Sequence, residues 1–269
     1  MKTFSVLALF LLIQLFGGCG GKENSDTKIK YSIKHYENKF GSCDSSDAGC
    51  AKVLFEYPEI NYAFNSSVED SISNCIQQFL ISSYSDYRKT RSLDSMTESF
   101  FSDYENNLQD VPNYSLPWEI NNTIVIVYND RSIVSLQSVV YSFTGGAHGN
   151  EVVYFANLNS QSGKRLQLSD LLVPRYKKEI DNIGEKIFRK DKALEAAENL
   201  EDAGYWFQDN KFTTNENFGI KTNGLVFYFN SYEIAPYAMG PAELFIPYSE
   251  IKNLIKKDGS LIKVAAFEN

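Results

Sequence analysis

An apolar run from Phe4 to Phe16, broken only by Ser5 and Gln14, ends in Gly17-Gly18-Cys19 and decides where the rest of this chain folds. It follows the short positive start Met1-Lys2-Thr3. Charge, apolar stretch and small residues before a cut site are the three parts of a secretory signal. The stretch is shorter than the roughly 20 apolar residues that a bilayer crossing needs. The expectation is a signal peptide over residues 1–18, removed from a body that folds outside the reducing cytoplasm.

The end of the run resembles the lipobox of bacterial lipoproteins, with Phe16 where the usual pattern has Leu. The resemblance implies cleavage after Gly18 and acylation of Cys19, which would make the protein a lipoprotein. Two or three acyl chains anchor firmly, since each buried methylene contributes about 0.8 kcal/mol and one chain alone is marginal. Residues 19–29 then form a polar, flexible tether. The expected location is the cell envelope, facing the periplasm or the cell surface, with the leaflet left open. The alternative is an ordinary secreted protein in which Cys19 is incidental.

An oxidising compartment also gives meaning to the other cysteines. Cys43 and Cys50 flank a turn-rich stretch between two strand-like segments, so a disulfide closing a hairpin loop is expected. A metal site is the rival reading, but no neighbouring His or Cys completes four ligands. No metal and no cofactor are expected. Cys75 falls on a 3.6-residue apolar stripe with Val68, Ile72, Ile76, Phe79 and Leu80, and reads as a buried, inert thiol. The formal charge is −8, which argues against nucleic acid as a partner and is compatible with a cationic one. The composition, 43% hydrophobic and 14% aromatic, is that of a folded globule.

Tyr31, Ile33 and His35 alternate on one face of a first strand, and Val53 to Tyr57 makes a second that Pro58 should stop. Asn65 or Ser66 caps the helix carrying Cys75, and Met96, Phe100, Tyr104 and Leu108 mark another helix. Thr123 to Tyr128, Ile133 to Phe143 and Glu151 to Leu158 read as an antiparallel meander. Helical patterns over 168–172 and 175–189 follow, then strands at 224–229 and 244–247 and a last helix capped by Ser249. The fold class is α+β: an antiparallel meander with helices packed on one face, in two intertwined subdomains. The expected domains are residues 30–145 and 146–258, with a tail over 259–269.

Several blocks occur in order: Tyr141-Ser142-Phe143-Thr144-Gly145-Gly146-Ala147-His148-Gly149, Asn157-Leu158 with Gly163-Lys164, and Leu168-Ser169-Asp170-Leu171-Leu172. Gly224 to Phe229 follows, running into Asn230-x-Tyr232-Glu233-Ile234-Ala235-Pro236-Tyr237-Ala238-x-Gly240, and then Ile246-Pro247-Tyr248. Together they resemble a pair of extracytoplasmic domains of unknown function. That pair forms the lysozyme-binding region of RsiV-type anti-sigma factors and precedes the catalytic domain of PdaC-type peptidoglycan deacetylases. The resemblance covers roughly residues 30–258 and implies an envelope-facing binding module. The sigma-binding segment of the first group and the metal-dependent catalytic domain of the second have no counterpart here. No Thr-Phe-Asp-Asp-Gly-like run and no His-x3-His occurs.

His148, one of only two histidines, sits in the Gly-rich turn. It can act as a general acid/base or ligand donor, or simply pack to fix a tight connection. Tyr232, Glu233 and Tyr237, on a Pro/Gly-shaped loop, can stack on and hydrogen-bond a sugar or a protein, or can close the core. No nucleophile elbow, zinc-protease or phosphate-loop motif is present. The expected function is a lipid-anchored, non-catalytic binding or sensing protein that recognises a lysozyme-like muramidase or peptidoglycan. The alternatives are a cell-wall glycan hydrolase or deacetylase-associated enzyme using His148 and Glu233, and a purely structural envelope lipoprotein.

Overall fold

The computed structural model describes residues 28–43, 49–85, 89–111 and 116–265. The leader, Cys19 and most of the tether lie outside the described residues. Strands β1 (Lys30–Gly41) and β2 (Cys50–Tyr62) form a hairpin, and the expected Cys43–Cys50 disulfide closes it. Helices α1 (Ser66–Ile81) and α2 (Leu93–Asp110) then cross to β3 (Trp118–Asn129). β3, β4 (Ile133–Phe143) and β5 (Asn150–Asn159) are the expected antiparallel meander. The order of this five-stranded sheet is β1-β2-β3-β4-β5. The α+β class holds, but the sheet is not antiparallel throughout: β2 and β3 run parallel, because the helical pair returns the chain to the end where β2 began.

α1 and α2 cover one face of this sheet. The apolar stripe of α1, with Cys75 in it, and Met96, Phe100 and Tyr104 of α2 close on Val53, Phe55, Ile120, Ile124 and Leu136. Asn65 caps α1, its Oδ1 accepting from Val68 N–H at 3.0 Å. The fully buried Asn122 of β3 donates to Phe79 O at 3.2 Å and to Ser83 Oγ at 2.8 Å, and accepts from Ser138 Oγ at 2.8 Å. It thereby ties two strands to the last turn of α1.

Pro58 does not stop β2, which runs on to Tyr62. Pro58 lies opposite Ile33, while the ladder from β2 to β3 has already ended at Glu56. The missing N–H therefore points to a side with no strand, and no ladder bond is lost.

The second core is built by α3 (Leu168–Leu171), α4 (Tyr176–Asp191) and a three-stranded sheet of β6 (Phe218–Lys221), β7 (Gly224–Phe229) and β8 (Ala242–Pro247). α5 (Tyr248–Ile251) and α6 (Leu261–Ala265) complete it. Ser249 is not the cap of α5: Pro247 holds that position and Ser249 lies inside the first turn. β6 and α6 carry no sequence signal strong enough to have been anticipated, each being under six residues long.

The two cores interlock through β4 and β5. Ile133 belongs to the second core and its neighbour Val134 to the first. Each sheet also caps the other's edge strand with asparagine side chains. On the free edge of β5, Val153 N–H donates to Asn230 Oδ1 at 2.7 Å, and Phe155 N–H donates to Asn217 Oδ1 at 3.0 Å. Val153 O accepts from Asn217 Nδ2 at 2.8 Å and from Asn230 Nδ2 at 3.1 Å. In return, Asn157 of β5 accepts from Ile220 N–H at 3.1 Å and donates to Phe218 O at 2.8 Å, both on β6. Gly219 lets β6 lie against the Phe155 ring where a Cβ would collide with it.

Asn217→Ala leaves Phe155 N–H without its acceptor inside the seam and removes a donor from Val153 O. The expected loss is about 2–4 kcal/mol, read as a lower urea midpoint. Cys75 is only 6% exposed, and burial pushes its thiol pKa up. It should therefore resist thiol reagents in the native protein and react once the chain is unfolded.

Candidate functional site

Two loops meet at the end of the seam between the sheets. One is the β4–β5 turn, where Gly145 and Gly146 take φ of +92° and +98°. Those backbone conformations favour glycine. Gly149 follows, with the Tyr141 ring lying so close that a Cβ there would come within 2.5 Å of it. The other is the β7–β8 connection from Asn230 to Pro241.

Tyr237 joins the loops. Its hydroxyl donates to Gly149 O at 3.1 Å, and its ring stacks on the His148 imidazole with centroids 4.0 Å apart and planes 15° apart. His148 Nδ1 lies 2.9 Å from the same carbonyl, an acceptor, so the contact places the imidazole proton on Nδ1. On the loop side, Tyr232 packs against Tyr237 with centroids 5.5 Å apart. Tyr237 thus contacts a ring from each loop. It is a brace between loops, while the outer rings of the stack, His148 and Tyr232, stay exposed.

Glu233 points its chemistry elsewhere. Its Oε1 accepts from Asn215 Nδ2 at 2.7 Å and its Oε2 from Asn230 N–H at 2.9 Å. It folds its own turn back onto the residues that cap β5. Among the described hydrogen bonds and ion pairs, none joins Glu233 to His148. Of the four candidate residues named from sequence, the structure brings His148, Tyr232 and Tyr237 into one cluster and leaves Glu233 beside it, bonded to Asn215 and Asn230.

Beneath the stack lies a groove of about 470 Å³ walled by Tyr141, Glu151, Ser231, Tyr237, Met239 and Pro241. Glu151 lines the groove, and with Glu243, itself 3.8 Å from Lys221, it adds to the burial that pushes the Tyr228 phenol pKa up. Around the groove Tyr232 is 56% exposed, Met239 42% and Tyr141 37%. Tyr232 also holds φ of +67°, an uncommon and strained conformation for a bulky side chain. Trp206, 49% exposed, is tied to the same loop through its N–H, which donates to Ile234 O at 2.7 Å. Trp206 and Met239 were not singled out from sequence, because neither lies in a patterned motif. An aromatic next to a glycine-rich turn was the available signal for Tyr141. Among the described residues, no group of three or more His, Cys, Asp or Glu is placed to hold a metal ion. No described helix is long and apolar enough to cross a membrane.

Residues 44–151 match the family described as deacetylase PdaC, and residues 169–249 match the protein family of unknown function DUF3298. A DUF3298 family member from Bacteroides fragilis NCTC 9343 shares the fold with a TM-score of 0.69 at 18% identity, over 89% of this chain and 98% of its own. A DUF3298 family protein from Pseudomonas aeruginosa PAO1 superposes with a TM-score of 0.61 at 19% identity, over 85% and 95%. No curated protein is significantly similar to the chain.

Because Tyr237 braces both loops, Tyr237→Ala should free the Gly-rich turn without unfolding the sheets. Faster amide hydrogen exchange confined to residues 144–150 and 231–240 is the expected result, with global stability lowered by about 1–2 kcal/mol.

Proposed function

With the PdaC and DUF3298 domains in tandem along this chain, we propose a non-catalytic binding protein of the cell envelope, held to the membrane by lipid on Cys19. Its partner docks on the apron formed by the two loops. The observation that carries this reading is the groove lined by exposed Met239 and Tyr141 and by Tyr237, whose ring contacts the exposed His148 and Tyr232. Aromatic side chains and methionine are enriched where proteins meet, and a braced loop loses little entropy when it binds.

Glu151 lines the groove and Glu233 lies exposed on its loop, in a chain of formal charge −8, so a cationic protein is the fitting partner class. A muramidase of lysozyme type is the candidate that the family resemblance suggests. Peptidoglycan fragments are the second candidate, since exposed aromatic rings also stack on sugars. The hydrolase alternative draws little support from this geometry. Both oxygens of Glu233 accept bonds from Asn215 and Asn230, and His148 is bound to Gly149 O.

Residues 20–269, which keep every described element, are titrated with a muramidase and with muropeptides by calorimetry. Saturable binding without turnover is expected, weakened about tenfold to a hundredfold in Tyr232→Ala/Met239→Ala with the fold retained. Turnover of the glycan that vanishes in His148→Ala would replace this reading with the enzymatic one.

A further inference from the structure

The two edges of the five-stranded sheet are finished differently. The β5 edge is capped by Asn217 and Asn230, as described above, and Phe155 O additionally accepts from Arg165. β1, the other edge, runs from Lys30 to Gly41 and pairs only with β2. Lys39 N–H donates to Asn38 Oδ1 at 3.0 Å, and Ile33 lies opposite Pro58, which has no N–H to offer it. This fixes the parity: odd-numbered residues of β1 turn their amides and carbonyls away from the sheet. Among the described hydrogen bonds, none answers the outward backbone groups of Ile33, His35 or Glu37. The register against β2 shows no irregularity from Tyr31 to Gly41, and Tyr31 and Ile33 are 40% and 45% exposed. A long, regular edge of this kind is a template for another strand.

We propose that this edge pairs with β1 of a second copy, antiparallel about a two-fold axis, to join two five-stranded sheets into one. The odd-residue parity requires odd to face odd across the axis, so the self-opposed residue names each possible register. Centring on Lys34 sets two ammonium groups face to face, and centring on Glu37 sets two carboxylates face to face. Centring on His35 opposes two imidazoles. Centring on Tyr36 instead places His35 opposite Glu37 at two symmetric positions, Lys34 opposite Asn38, and Ile33 opposite Lys39. Centring on Asn38 also opposes complementary groups, Glu37 to Lys39, but overlaps only residues 35–41 of β1, whereas centring on Tyr36 overlaps residues 31–41, so the Tyr36 register forms the longer ladder free of opposed like charges. Lys34 and Lys39, which would otherwise guard the edge, are already engaged with Glu59 and Glu37 of their own chain. The interface is isologous, so it closes at a dimer and does not propagate.

Proline offers a clean probe. The N–H of Ile33 and of His35 makes no bond to β2, so Ile33→Pro and His35→Pro cost the monomer no ladder bond while removing donors from the dimer. Residues 20–269 are studied by sedimentation equilibrium, with circular dichroism as the check on folding. The wild type should show a reversible monomer–dimer equilibrium, and both proline variants should sediment as folded monomers. Glu37→Lys should raise the dimer Kd about tenfold, and His35→Glu/Glu37→Lys, which inverts each cross-strand pair, should restore it. The charge variants decide the matter if a proline variant fails to fold. A wild type that stays monomeric up to about 0.3 mM leaves the edge to some other chain and overturns self-pairing. So does a dimer unchanged in the proline variants, or a double charge variant no better than Glu37→Lys.

Discussion

The structure depends on an exchange of amide groups between two sheet edges. A strand at a sheet edge carries a row of backbone donors and acceptors that water, another strand or a side chain must satisfy. Here β5 and β6 pack together, with Phe155 against Gly219 and Asn157 and Phe218 buried, and side chains take that role. Asn217 and Asn230 flank the small sheet and present amides that mimic a neighbouring strand to β5. Asn157 does the same for β6, helped by Ser135, whose Oγ accepts from Ile220 N–H at 3.2 Å. Apolar residues at these positions would bury unpaired backbone groups, so the union of the two sheets is specified by polar side chains as much as by the flanking hydrophobic cores.

This exchange also explains what the sequence could and could not disclose. The helices at 66–81, 93–110 and 176–191 are legible because each buries a stripe at helical spacing, and the meander is legible because β-branched and aromatic residues alternate. The parallel pairing of β2 with β3 leaves no local trace, since strand direction is set by how the intervening helices return the chain. Pro58 misled for a related reason. A proline is prohibitive only where its N–H would have met a partner, and that depends on a neighbouring strand ending at Glu56. The asparagines of the seam look like ordinary loop and strand-end residues until the tertiary structure gives them partners.

At the candidate site the residue types were readable and their roles were not. His148, Tyr232 and Tyr237 were chosen as chemistry-bearing groups on flexible-looking loops, and they do assemble. Assembly changes what each contributes. The phenol of Tyr237 is spent on the Gly149 carbonyl, and the carboxylate of Glu233 is spent on Asn215 and on the backbone of Asn230. Through Asn215, Asn217 and Asn230, Glu233 links the outer loop to the same amide exchange that joins the sheets. The rigidity of the apron is inherited from the seam beneath it. Loops fixed by a scaffold in this way recognise shape, whereas acid–base work calls for groups left free to give or take a proton.

The Cys43–Cys50 bridge has a consequence for the life history of the molecule. It clasps the loop end of the hairpin, whose first strand pairs with β2 and rests on α2 through Tyr36 and Phe40. In glutathione-buffered surroundings both sulfurs remain thiols, and that end of the hairpin loses its covalent clasp. Under the proposed export, a copy still inside the cell would carry the open clasp and one folded outside it the closed one. The same polypeptide would then be looser at this hairpin on one side of the bilayer than on the other.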